Sequence, residues 1–257
     1  VTRLVDAVVE LDGRRLTTRT WGDGPPSIVM LHDGLGSISQ WRDLPACLHR
    51  STGWTVLAYD RAGHGDSRPV PTGAWPADWL HTEADVLAAL LATGSDRPLL
   101  VGHSDGASIA LIHAAGESSG LSGVVALAPH TFVEQKCVDA IARLTNEPER
   151  LVDSLGRHHA DAAALFRAWS GVWVSEGFGP WDIRGRLAEV TVPTLVLQGD
   201  RDEYASDAML WETLDAIGPE ARGRLLAGLG HGLHREAPEL VCELVSGFLS
   251  PTTHYSS

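Results

Sequence analysis

Short uninterrupted apolar runs, each closed by small or polar residues, recur along this chain and carry its structural reading. Ser27-Ile28-Val29-Met30-Leu31, Trp54-Thr55-Val56-Leu57-Ala58-Tyr59, Pro98-Leu99-Leu100-Val101-Gly102, Gly123-Val124-Val125-Ala126-Leu127-Ala128 and Thr194-Leu195-Val196-Leu197-Gln198 are of this kind. A strand covered on both faces reads as such a run, because no position along it meets water. Helical stretches lie between most of the runs, as a parallel sheet with crossover helices requires. Residues 4 to 10 and 14 to 20 instead alternate apolar and polar positions around Asp12-Gly13, which predicts an antiparallel hairpin at a sheet edge. Arg224-Leu225-Leu226-Ala227 predicts a last strand, Pro238 to Leu249 a closing helix, and Pro251 to Ser257 a frayed tail.

The interval from Thr131 to Val190 interrupts this rhythm. It holds no convincing strand, several amphipathic helical stretches, and a cluster of Phe132, Phe166, Trp169, Trp173, Phe178 and Trp181. The pattern predicts a helical cap at 131–190 inserted into a core formed by 1–130 and 191–257. A chain of 257 residues suffices for one such body with an insertion.

The chemistry begins at Gly102-His103-Ser104-Asp105-Gly106, where an apolar run ends in a serine bracketed by glycines and Ala107 to Ala115 reads as a helix. Strand, G-x-S-x-G and helix form the nucleophile-elbow pattern, which lifts the serine hydroxyl clear of the backbone. A serine hydroxyl needs a base, and the base needs an orienting carboxylate. His231, in Gly228-Leu229-Gly230-His231-Gly232 directly after the last predicted strand, is the candidate base. Gly199-Asp200-Arg201-Asp202-Glu203 offers the acid at another strand end. Asp202 is preferred: Asp200 follows the strand too closely and suits a bracing role, while Glu203 points away if Asp202 points inward. For the oxyanion site, the amide of Asp105 is one donor. The loop His32-Asp33-Gly34-Leu35-Gly36-Ser37 supplies the other, Gly34 or, with a shift of one, Leu35.

Other residues carry weaker signals. His130 ends the strand after the elbow, where pockets form in open α/β sheets, and is a candidate substrate contact. Two or three of Phe166, Trp169, Trp173 and Trp181 are expected to form the pocket roof, favouring a small-molecule substrate with an apolar or aromatic portion. The Asp105 carboxylate reads as a brace between loops, or else as a contact for a cationic substrate group. His103 is expected under the turn, His158-His159 at a solvated helix end, and His64 and Asp60 in a loop bracing the sheet. His231 and His234 have metal-ligand spacing but no supporting ligands, so no metal and no cofactor are expected.

Charge and composition narrow the partners. The formal charge of −13 disfavours nucleic acid and anionic membranes. No apolar run approaches a membrane span, and the first residues lack a basic start followed by an apolar segment, so a cytoplasmic monomer or homodimer is expected. Cys47, Cys137 and Cys242 lack C-x-x-C pairing and read as three buried free thiols.

Taken together the landmarks resemble the α/β-hydrolase superfamily, in its compact capped form with a serine nucleophile. His32 to Ser37 resembles the family's H-G-x-x-G-S loop, with Asp33 where glycine is usual. Asp60-Arg61-Ala62-Gly63-His64-Gly65-Asp66-Ser67 resembles its D-x-R-G-x-G-x-S loop, Gly199 to Asp202 its acid turn, and Gly230-His231 its G-H turn. The resemblance implies a mostly parallel eight-stranded sheet flanked by helices. It also implies an esterase-like serine hydrolase acting on carboxylic esters, thioesters or lactones. A C-C bond hydrolase on a vinylogous diketone, a cofactor-free lyase or oxygenase, and a ligand-binding protein that retains the triad are the alternatives.

Overall fold

The computed structural model describes residues 2–248; the predicted tail and Leu249 lie outside them. Eight strands form one sheet in the order β1-β2-β4-β3-β5-β6-β7-β8. They are β1 (Leu4–Leu11), β2 (Arg14–Trp21), β3 (Ile28–Leu31), β4 (Val56–Tyr59), β5 (Leu99–His103), β6 (Gly123–Leu127), β7 (Thr194–Gly199) and β8 (Ala221–Leu226). The alternating hairpin is β1–β2, joined antiparallel to β4, and every later pairing is parallel.

Helices α1 (Leu44–Thr52), α2 (Trp79–Leu91) and α3 (Asp105–Glu117) follow β3, β4 and β5. Between β6 and β7 lie α4 (Gln135–Asn146), α5 (Glu149–Leu155), α6 (Ala162–Trp173) and α7 (Arg184–Leu187). After β7 come α8 (Asp207–Ile217), α9 (Leu233–Glu236) and α10 (Pro238–Phe248). Side chains alternate across the pleat, so each strand feeds two cores. Val29 and Leu31 pack with α2 and α3, while Ile28 and Met30 pack with α1 and α10 on the opposite face. This two-sided burial is why β3, β5 and β6 read as unbroken apolar runs: every residue of all three is buried.

Topology fixes where chemistry can occur. From β3 the chain moves to β4 on one side and then to β5 on the other, so the loops after β3 and β5 part in opposite directions and leave a crevice at their carboxyl ends.

The thiol expectation is corrected. Cys47 on α1 and Cys242 on α10 form a disulfide across 195 residues of sequence, and Cys137 alone is free and buried. Packing of α1 against α10 brings the two sulfurs together, and residue spacing carries no trace of that. Alkylation of the denatured, unreduced protein should modify one thiol and, after reduction, three. Reduction should lower the unfolding free energy by about 2–4 kcal/mol in a denaturant titration of the reduced, blocked protein.

Candidate active site

The turn after β5 is built by two close approaches. A Cβ on Gly102 would collide with the backbone of Gly106 and Ala107, and a Cβ on Gly106 would collide with the carbonyl of Leu31 at the end of β3. Between them Ser104 adopts φ 53 and ψ −121, a conformation that costs a non-glycine residue about 1–3 kcal/mol. Its amide donates to the Leu127 carbonyl of β6 at 2.9 Å. Ser104 lines a cavity of about 440 Å³, which is also lined by Gly34, Asp105, His130 and His231.

The loop after β3 is held carbonyl by carbonyl. The fully buried Arg61 donates through Nη2 to the Asp33 carbonyl at 2.7 Å, His64 Nε2 meets the Gly34 carbonyl at 3.1 Å, and His159 Nε2 donates to the Leu35 carbonyl at 3.0 Å. The Leu35 amide is spent on Asp33 Oδ1 at 3.1 Å, which removes it as a free donor. The amides of Gly34 and Asp105 donate to no acceptor among the described residues. That of Asp105 belongs to the first turn of α3, where helix geometry leaves amides unpaired. His159 is thus a buried strut rather than a solvated helix end: Gly65 donates to its Nδ1, which fixes the tautomer.

Nδ1 of His231 lies 3.0 and 2.9 Å from the two carboxylate oxygens of Asp202, which follows β7. Asp202 Oδ1 also accepts from the amides of Tyr204 and Ala205, at 2.8 and 3.2 Å, so the acid is fixed before it meets the histidine. Glu203 does not point away as expected. Its Oε2 accepts from the His231 amide at 3.1 Å. Asp200 braces the turn after β8 by accepting from the Gly228 amide at 2.7 Å. Below the elbow, His103 Nε2 donates to the His231 carbonyl at 2.9 Å and its Nδ1 lies 3.2 Å from Asp33 Oδ2. Asp33, the departure from the usual glycine, therefore ties the β3 loop to the ring that holds the His231 loop.

The charges around His231 oppose one another. Burial disfavours its charged form, but the hydrogen bond and charge of Asp202, joined by Asp33 and Glu203, outweigh it and raise the pKa above the ordinary histidine value. Burial favours the neutral acid at Asp202, yet His231 and the Tyr204 amide hold its pKa below the ordinary value. Neighbouring His130, its ring centre 5.7 Å from that of His231, is pushed down to about 3 by burial and by the His231 charge. His130 is locked by its backbone, since Ser108 Oγ donates to its carbonyl at 2.6 Å, and its Nδ1 has no hydrogen-bond partner among the described residues. The Asp105 carboxyl accepts from Trp169 Nε1 at 3.0 Å and is pushed up to about 6 by burial. That contact is the bracing role, joining the elbow to α6.

Two of the four aromatic candidates line the cavity. Trp169 and Trp173 line the cavity one helical turn apart on α6, but Phe166 and Trp181 do not. Phe166 is buried in the core, its ring centre 6.5 Å from that of Trp169, and Trp181 stacks on Phe178 with ring centres 5.2 Å apart. Most of the roof is aliphatic: Ile141, Leu144, Leu151 and Leu155 come from α4 and α5, beside Cys137. Their spacings of three and four residues are the only sequence signal they carried. Lys136 Nζ donates to the carbonyls of Asp202 and Ala205 at 2.6 and 2.7 Å, and Glu134 accepts from Ser206, so the start of α4 is bound to the acid loop.

Among the described residues no group of His, Cys, Asp or Glu side chains is arranged to hold a metal ion. His234 turns from His231 to pack on Trp41, ring centres 4.7 Å apart. No helix among these residues is long and apolar enough to cross a membrane.

The sequence model of the alpha/beta hydrolase family matches residues 28–244. The chain belongs to that family. This alpha/beta hydrolase is 27% identical to a non-heme haloperoxidase of Rhodococcus erythropolis, over 88% of this chain and 92% of that one. It is 26% identical to the 2-(acetamidomethylene)succinate hydrolase of Mesorhizobium japonicum, over 94% of each chain. A bacterial membrane phospholipase A shares the fold, with a TM-score of 0.80 and 20% identity over 96% of this chain and 86% of that one.

Because the elbow leaves no room beside Leu31, Gly106→Ala should destabilise the enzyme by about 1–3 kcal/mol or more in denaturant unfolding. Gly116→Ala, on the open face of the same helix, where a Cβ meets nothing, should be neutral or stabilising.

Proposed function

We propose that this alpha/beta hydrolase cleaves a carboxylic ester, thioester or lactone through an acyl-enzyme on Ser104. One observation carries the reading: Asp202 grips Nδ1 of His231 through both oxygens, which leaves Nε2 as the free basic nitrogen in the cavity that Ser104 lines.

In this mechanism Ser104 Oγ attacks the substrate carbonyl as His231 Nε2 takes its proton. The amides of Gly34 and Asp105 hydrogen-bond the oxygen that becomes negative. Asp202 holds the imidazolium in place and stays ionised. The imidazolium then gives its proton to the departing alcohol or thiol, or to the ring oxygen of an opened lactone. Water, deprotonated by the same nitrogen, attacks the acyl-Ser104 carbonyl; the bond to Ser104 Oγ breaks, Oγ takes back the proton from His231 Nε2, and the acid is released. His130, uncharged at neutral pH, and Trp169 and Trp173 contact the substrate, with the helices of 131–190 acting as the cap.

A fluorophosphonate probe should label Ser104 stoichiometrically, and His231→Ala should abolish labelling. Ser104→Ala should lower ester turnover on the order of 10⁶-fold. Absence of both labelling and p-nitrophenyl acetate cleavage by the folded protein would sink the hydrolase reading. Retention of most native turnover by Ser104→Ala would favour a lyase or oxygenase with His231 as the base. The base works only when neutral. kcat/KM should therefore rise with pH to a midpoint above the ordinary histidine value of about 6.5. Asp202→Asn removes the charge that opposes burial, so the midpoint should fall while kcat drops by about 10⁴-fold.

A further inference from the structure

The cavity lining mixes two kinds of residue. Ile141, Leu144, Leu151 and Leu155, supplied by α4 and α5, form an apolar set. The same lining holds Ser39 and Gln40 of the 3-10 turn Ile38–Trp41, then Arg42, and Arg235 of α9, and Ser39 Oγ lies 2.8 Å from His158 Nδ1 just beyond α5, so the two sets adjoin. Ser104 and His231 line the same space. A carbonyl attacked at Ser104 thus sits in a space that offers both hydrocarbon and guanidinium groups.

Of the two arginines in this lining, Arg42 is the one without a charge partner. Arg42 is exposed and makes no ion pair or side-chain hydrogen bond among the described residues. Its backbone, at φ 52 and ψ −124, turns the chain sharply at this point. Arg235 pairs with Asp33 at 3.6 Å and remains about one-third exposed. The two acids of the lining are already engaged. Asp33 faces His103 and Arg235 and accepts from the Leu35 amide, and the buried Asp105 accepts from Trp169. An anion entering this part of the lining therefore meets the unpaired guanidinium of Arg42 with the partly exposed Arg235 in the same lining, although the chain as a whole carries −13. A planar carboxylate matches the guanidinium fork, which the hydrophilic but uncharged Ser39 and Gln40 flank.

We propose that the substrate is an amphipathic ester with an apolar arm on the α4–α5 wall and a carboxylate held by Arg42 and Arg235. This inference rests on the hydrolase reading above and names its substrate class.

Two p-nitrophenyl esters of equal acyl length test it, the hexanoate and the half-ester of adipate, which differ only by a terminal carboxylate. The half-ester should have the higher kcat/KM, with the difference in KM. The half-ester to hexanoate ratio of kcat/KM should fall about tenfold in Arg42→Gln, as for loss of a charge-assisted hydrogen bond, and recover in part in Arg42→Lys. It should also fall as salt is raised from about 0.02 to 0.5 M, where the screening length becomes shorter than the cavity. A wild-type ratio at or below one overturns the proposal, as does a ratio that Arg42→Gln does not change. Fluorophosphonate labelling of Ser104 separates the two failures. Labelling without carboxylate preference leaves the hydrolase standing and removes only this inference, whereas no labelling removes both.

Discussion

No atom larger than hydrogen fits between the Cα of Gly106 and the Leu31 carbonyl, and the rest of the site depends on that approach. Pressing the first turn of α3 onto the end of β3 brings two unrelated loops together. One offers the unpaired amide of Asp105, the other that of Gly34. The strain at Ser104 is sustained because the backbone on both sides of the turn is clamped by packing and by the bond to Leu127. Three buried donors, Arg61, His64 and His159, then hold successive carbonyls of the β3 loop. Burying so many polar groups is tolerable only because their donors and acceptors meet one another.

A second balance is electrostatic. Burial acts on His130 and His231 in the same direction, and the hydrogen-bonded carboxylate separates their fates. Asp202, with Asp33 and Glu203, keeps one ring basic, while the other has no carboxylate hydrogen bond, feels the charge of its neighbour and stays neutral. Two imidazoles less than 6 Å apart at their centres thus differ in basicity. The sequence could place both at strand ends but could not rank their basicity, which depends on which carboxylates fold against them.

The sheet was legible because each β3-to-β7 run is buried on both faces and says so residue by residue, and the placement of Ser104, Asp202 and His231 at strand ends because glycines there mark loops that can carry chemistry. Other features left weaker traces. Cys47 and Cys242 meet through helix packing, Phe166 and Trp181 turn into the core, and His159 is fixed by Gly65 and Leu35, more than ninety residues away along the chain. Aromatic residues drew attention as roof candidates, but the aliphatic residues of α4 and α5 make most of the wall. A leucine that lines a cavity and a leucine that fills a core are written alike.

The bond from Lys136 to the Asp202 and Ala205 carbonyls has an architectural consequence. The first turn of α4 belongs mechanically to the acid loop, although by chain order it opens the insertion. A chimera that grafts a relative's insertion onto this core would sever that clamp if its seam were cut at the end of β6. A seam that keeps the clamp therefore lies after Lys136, a few residues inside the boundary at 131 that the strand and helix pattern predicts.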